Sequence, residues 1–294
     1  MIKRSPGEVI FDTINAIFML LIIFITLYPF WYVVCASFSD NAVLTANPGI
    51  LLWPKGWVTG GYRLTFKNPL LITGYKNILI ILVASLPLNI VMTLFAGYFM
   101  AMRGMMFKKI FVYMMLFTMY FGGGLIPTYL NIRELGLHNT LWALIIPGCV
   151  SIYNSIITKT AIEGIPESLF ESAYIDGAND LYVLFKIVIR LILPTLAVIT
   201  LYYAVGHWNS WFNATIYITD DTKLPLQAIL RAILITATAQ LSTQEASVNG
   251  DHVDNYAETI KYAIIVVGTL PILAAYPFLQ KYFVKGVMIG AVKG

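Results

Sequence analysis

Residues 165–194 read IPESLFESAYIDGANDLYVLFKIVIRLILP, a polar, acidic stretch set between two long apolar runs. Its residue types suit docking rather than bond-making. Pro166 suits the first turn of a helix, where its missing N–H costs nothing. Glu167 then falls in the positively polarised N-terminal turn. Leu169, Ala173 and Ile175 are expected to form an apolar face, with Glu167, Glu171 and Asp176 turned elsewhere. Gly177 allows the left-handed turn that ends such a helix. Ala178-Asn179-Asp180 then opens a second helix with Asn179 or Asp180 as its cap, and Phe185-Lys186 leads into the next apolar run. Two short helices at an angle would make a knob of the size that fits a cleft on a soluble partner. An interfacial amphipathic loop without a partner is the plainer alternative.

Other chemistry finds little support. No G-x-x-x-x-G-K-[ST] phosphate loop occurs, and Gly122-Gly123-Gly124 lacks the Lys-Ser/Thr that would follow one. Those glycines are expected to let helices approach closely or to loosen a span near a cavity. His138, His207 and His252 lie far apart and no His/Glu/Cys group has metal spacing, so neither a catalytic nor a metal site is expected. Cys35 and Cys149 sit in apolar runs and read as buried thiols rather than a disulfide framework.

The elements that would position the knob follow from composition. The 294 residues are 59% hydrophobic and 12% charged, whereas soluble domains carry about 25% charged residues. A net charge of +4 is weak and fits membrane topology rather than a nucleic-acid surface. The chain is therefore expected to be all-α, a polytopic membrane protein with a single membrane domain over residues 1–294. A span needs about 20 mostly apolar residues, and six runs qualify, near residues 11–37, 77–102, 109–129, 140–161, 185–207 and 260–283. The first run is too long for a signal-peptide core and reads as a retained span. Prolines 29, 87, 127, 147, 194 and 271 fall within or at the ends of these runs and are tolerable where neighbours re-satisfy freed carbonyls.

Lys3, Arg4, Arg103, Lys108, Lys109, Lys281, Lys285 and Lys293 place the even-numbered loops and both termini in the cytoplasm, against an imperfect outer set of Lys55, Arg63, Lys67 and Lys76. The knob then spans about residues 163–184 and a cytoplasmic tail about 284–294. Residues 38–75 and 208–259 form long outer segments. The first is rich in aromatics such as Trp53, Trp57, Tyr62 and Phe66. The second begins aromatic and ends acidic, with Asp220, Asp221, Glu245, Asp251, Asp254 and Glu258. Loops of that length without structure are unusual, so short helices near residues 226–235 and 257–261 are expected. They would cap the bundle or face an extracytoplasmic partner.

Glu171-Ser172-Ala173-x-x-Asp176-Gly177-Ala178 resembles the EAA-x-x-DGA coupling loop of importer permeases of the ATP-binding-cassette class, with serine in place of one alanine. Arg190 stands where that family has a customary proline, and Pro194 matches a second proline one turn later. Residues 126–130 (IPTYL) and 135–147 (LGLHNTLWALIIP) resemble the third-to-fourth span hairpin of carbohydrate importer permeases. Residues 204–212 (AVGHWNSWF) and the tail 282–294 resemble a complex-polysaccharide subgroup. Nearly the whole chain is similar to the maltose-permease-G-like family, most closely its LplC/YtcP-like group.

The resemblance implies a permease subunit that translocates oligosaccharides, acidic ones included, delivered by an extracytoplasmic solute-binding protein. The nucleotide-binding ATPase dimer would be separate and would hold ATP and Mg, with no cofactor on this chain. The sister permease would be a different chain in a heterodimer, and the location a multi-pass cytoplasmic (inner) cell membrane among lipid. By the same resemblance Glu167, Glu171, Ala173, Asp176, Gly177 and Ala178 would make or shape the ATPase contact. Aromatic faces and amides hold sugars, and polar residues inside a membrane tend to face cavities. Asn89, Tyr120, Tyr153, Asn154, Trp208, Asn209 and Trp211 are the candidates for a substrate pathway, against packing or an interfacial aromatic belt. The alternatives are an importer for a different small solute, or a membrane-embedded sensor or enzyme subunit. A sensor would need a signalling domain. An enzyme would need clustered ionisable residues in its spans, where Arg190 stands nearly alone.

Overall fold

The long apolar runs become helices, because in lipid every backbone polar group must be satisfied inside the segment. The computed structural model describes residues 5–46, 49–102, 104, 106–244 and 259–274, and no strand occurs among them. In chain order the helices are α1 (Pro6–Ser37), α2 (Asn41–Ala46), α3 (Gly60–Lys67), α4 (Leu70–Ala101), α5 (Lys108–Tyr120), α6 (Leu125–Glu134), α7 (Trp142–Ile145) and α8 (Ile152–Glu163). There follow α9 (Glu167–Ile175), α10 (Asp180–Leu191), α11 (Leu193–Trp208), α12 (Phe212–Tyr217), α13 (Leu226–Gln244) and α14 (Thr259–Ala274). The expected all-α membrane architecture is what forms.

Among the described residues, α1 and α4 are each long and apolar enough to cross a membrane alone. The helix α4 begins at Leu70, seven positions before the run expected at residue 77. The third run is not one helix: α5 and α6 meet at 114° across Gly122-Gly123-Gly124. A Cβ at Gly122 or Gly124 would meet nothing within 4 Å, so these glycines break the span rather than admit a neighbour. The fourth run is split into α7 and α8 around Pro147 and Gly148. Pro147 has no N–H to give a helix, so the hydrogen-bond ladder of α7 cannot continue through it. The fifth run, expected from residue 185, bends by 86° at Ile192, so its straight part starts at Leu193. Pro194 lies in the first turn of α11, where its missing N–H is harmless. Arg190 lies just before the bend and is exposed. The helix expected near residues 226–235 extends to Gln244.

Several expectations fall outside the described residues: Lys3, Arg4, Arg103, Glu245, Asp251, His252, Asp254, Glu258, the sixth run beyond residue 274, Lys281, Lys285, Lys293 and the tail 284–294.

The described residues divide into two compact units, one drawn from Met1–Pro69 with Ala232–Leu270, the other from Leu70–Arg231 with Pro271–Gly294. In the first, Ser5 and Glu8 cap α1 reciprocally. Cys35, Ala36 and Leu51 form a small core with Tyr32, Leu44 and Tyr262. The segment after α1 is pinned rather than loose. Trp31 Nε1 donates to the Leu52 carbonyl at 2.8 Å, Phe38 stacks on Trp57, and Ser37 and Tyr62 share a hydrogen bond of 2.8 Å. In the second unit, α4 packs along α8 and α11. Gly97 allows this approach, since a Cβ there would stand 2.7 Å from Thr158 Cβ and 3.1 Å from the Ser155 carbonyl. Small residues at such crossings let membrane helices pack closely.

Candidate functional site

The stretch 165–194 folds into an elbow built from its own sequence. Pro166 occupies the N-cap of α9, one position before the first turn expected for it. At the other end Gly177 takes φ +79°, and its N–H donates to the Tyr174 carbonyl at 3.0 Å while that of Ala178 donates to the Ala173 carbonyl at 2.9 Å. These two bonds form a Schellman closure, which satisfies carbonyls that a helix end would leave orphaned. Asn179 then caps α10, its Oδ1 accepting the Tyr182 N–H at 2.8 Å. A π-helical stretch, Val183–Val188, carries α10 toward the bend.

The inward face differs from the one expected. Ala173 is buried and Phe170 and Ala178 pack with it against a core of Leu94, Tyr98, Ile162, Val183, Leu184, Val188, Ile192 and Leu196. Leu169 and Ile175 point outward, Ile175 at 86% exposure, because the inward positions follow the 170–173 spacing. Leu181 and Tyr182 are exposed as well, so apolar side chains from both arms of the elbow meet solvent. Glu167, Glu171, Asp176 and Gly177 are exposed on the same loop. The structure thus brings all six coupling candidates onto one elbow, five at or near its surface and Ala173 anchoring it.

Behind the elbow lies a cleft of about 690 Å³ lined by the end of α4, the start of α5, the end of α8 and both arms. Tyr174 donates its hydroxyl to Asp180 Oδ1 at 2.7 Å across the turn, and Tyr98 of α4 reaches the Tyr174 hydroxyl at 3.4 Å. Partial burial pushes the Tyr174 phenol above its ordinary range, and the Asp180 carboxylate adds to that effect. Lys159 pairs with Glu163 at 3.5 Å on the rim.

The elbow is thus a capped, glycine-closed turn carried between α8 and the bend before α11. Residues 77–289 match the family described as binding-protein-dependent transport system inner membrane component. The chain belongs to that family. It is 39% identical to protein LplC of Bacillus subtilis (strain 168), over 100% of this chain and 98% of that one. It is 37% identical to the polygalacturonan/rhamnogalacturonan transport system permease protein YtcP of the same organism, over 97% and 99%. A crystal structure of a bacterial ABC transporter involved in the import of the acidic polysaccharide alginate superposes with a TM-score of 0.79 at 29% identity, covering 96% of this chain and 100% of that one. The protein is a membrane permease subunit of a binding-protein-dependent importer, a transport protein rather than an enzyme.

The permease's pathway candidates are not gathered into one site. Asn89 is wholly buried, and both ends of its amide are engaged: Nδ2 donates to the Gly148 carbonyl at 2.8 Å and Oδ1 lies 3.0 Å from His207 Nε2. Since an amide oxygen only accepts, His207 donates, which fixes a proton on its Nε2. Tyr203 accepts the Ser151 N–H at 2.9 Å and bonds Thr93 at 2.7 Å. These side chains replace the backbone partners lost where the fourth span breaks between α7 and α8, as an apolar surround demands. Asn154 and Trp208 are buried, Tyr153 and Asn209 exposed, and Tyr120 lies at 84% exposure at the end of α5. Trp211 is half-buried with the Arg231 guanidinium 3.6 Å over its ring. Sequence reasoning missed Tyr98, Tyr174, Tyr203 and His207 as working residues. The one local signal was a tyrosine three residues before Gly177 and an acid three after it.

Proposed function

We propose that this permease is one half of a heterodimeric ATP-binding-cassette importer for acidic, polysaccharide-derived oligosaccharides. The α9–α10 elbow is the part that the separate ATPase dimer moves. Glu167, Glu171, Asp176 and Gly177 face that partner, with Ile175 at the tip and Ala173 and Ala178 fastening the elbow to the bundle. ATP and Mg belong to the ATPase, and an extracytoplasmic binding protein delivers the sugar. Both termini and the elbow lie on the cytoplasmic side, in keeping with Lys108 and Lys109 beside the end of a span. The observation that carries the reading is the elbow itself: a rigid, capped turn presenting Ile175, Leu181 and Tyr182 to solvent. Because they sit on a polar, acidic loop rather than along an apolar span, these side chains support a protein partner rather than lipid. The acidic substrate class is supported by two relatives, one named for polygalacturonan transport and one for alginate import. Asn89, Asn154 and Trp208 line or brace the pathway, and Tyr120, Tyr153, Asn209 and Trp211 stand toward its edges.

The test is sugar-stimulated ATP hydrolysis in proteoliposomes holding the chain, its sister, the ATPase and the binding protein. Ile175→Asp puts a charge at the exposed tip without touching the core, and stimulation is expected to fall about tenfold, the loss of one good interface contact. Wild-type stimulation in Ile175→Asp, or failure of any ATPase to co-purify, overturns the reading.

A further inference from the structure

We infer that Tyr98, Tyr174 and Asp180 are positioning residues, a directed hydrogen-bond relay that joins the elbow to α4. The inference rests on the coupling role proposed above. The carboxylate of Asp180 only accepts, so the Tyr174 hydroxyl gives it its proton at 2.7 Å. The Tyr174 oxygen is then left to accept, and Tyr98 is the donor at 3.4 Å. The two links differ in quality. Hydroxyl bonds centre near 2.7–2.8 Å, so the link within the elbow is closed and the link to the span is stretched.

That difference follows the packing. The elbow is held as one piece by its Schellman closure, the Asn179 cap and the Tyr174–Asp180 bond. Tyr98 belongs to α4 and is 7% exposed, fixed in the core beside Ala173 and Ile162. Tyr98, Tyr174 and Asp180 all line the cleft of about 690 Å³, which leaves room for the Tyr174 ring to shift. A push on the elbow therefore moves Tyr174 and Asp180 together and changes the distance to Tyr98. This joint tightens in one state of the transport cycle and loosens in another.

The experiment measures sugar imported per ATP hydrolysed in proteoliposomes with the complete complex. Tyr98→Phe removes only the joint, Tyr174→Phe removes both links, and Asp180→Ala opens the elbow. Tyr98→Phe and Asp180→Ala are each expected to lower the ratio about fivefold, the weight of one net hydrogen bond, and Tyr174→Phe to lower it further. Asp180→Asn keeps an accepting oxygen and stays within about twofold of wild type. Phenylalanine keeps the ring, so these variants fold. A wild-type ratio in both Tyr98→Phe and Tyr174→Phe overturns the relay. If Ile175→Asp still lowers stimulation about tenfold in that case, the elbow remains the coupling part and only the relay is lost. If Ile175→Asp is silent too, the coupling reading falls with it.

Discussion

Gly177 holds its left-handed angle in open space, with no atom within 4 Å of where a Cβ would stand. A side chain there meets backbone strain alone, about 1–2 kcal/mol for an ordinary L-residue and less for asparagine, which visits that region readily. Sugar-stimulated hydrolysis should therefore rank Gly177 wild type and Gly177→Asn above Gly177→Ala, with Gly177→Val lowest. Equal activity for alanine and glycine would mean that the turn is not under strain during coupling. Asn89 is the opposite case, a buried amide whose partners are 59 and 118 positions away. Asn89→Leu leaves the Gly148 carbonyl and His207 without their partner and should cost about 1–3 kcal/mol. A melting temperature in detergent equal to wild type would remove Asn89 from its bracing role. Gly177 was legible because a helix end is closed by its own neighbours. The partners of Asn89 were not, because nothing local links residues 89, 148 and 207.

At the level of helices, the pairing of α4 with α8 depends on Gly97, whose missing Cβ would lie 2.7 Å from the Thr158 side chain. Gly97→Leu should destabilise the pair by about 1–3 kcal/mol or more through overpacking. Gly206→Ala in α11, with nothing within 4 Å, should be neutral or gain up to about 1 kcal/mol from helix propensity. Thermal unfolding of both variants in the same detergent checks the contrast, and equal shifts would show that α4 and α8 do not need their close approach. The apolar runs made α1 and α4 readable, since hydropathy reports whether a stretch can lie in lipid. It does not report whether that stretch is straight. The breaks at Gly122-Gly123-Gly124, at Pro147-Gly148 and at Ile192 each fall inside a run that reads as one span. Two of them carry proline or glycine signals, but membrane helices tolerate such residues. At Pro147-Gly148 the decision lies with distant side chains that satisfy the freed backbone groups: Asn89 donates to the Gly148 carbonyl and Tyr203 accepts the Ser151 N–H. The inward face of α9 was misjudged for a related reason. Its partners on α4 and α8 select Phe170 and Ala173, a choice that periodicity within nine residues cannot make.

For the whole molecule, the most hydrophobic window of α1 has no buried residue, and α5 has none along its length. Such surfaces are stable against lipid or a second permease, and association in a membrane needs packing and polar contacts rather than apolar burial. Import should therefore require the complete assembly: leaving out the sister permease, the ATPase or the binding protein stops uptake of labelled oligosaccharide in proteoliposomes. The substrate class is tested in the same preparation by competition. Unlabelled oligogalacturonate should suppress import of its labelled form at equal concentration by about half, while a neutral galactose oligomer of the same length should leave it unchanged, because discrimination resides in groups that meet or miss a carboxylate. Arg231 does not decide that choice alone, since its guanidinium already covers the Trp211 ring. Selectivity for charge would then be divided between this chain, its sister and the binding protein. Equal competition by the neutral oligomer overturns the acidic class and leaves the permease assignment standing, because that assignment comes from the family match over residues 77–289.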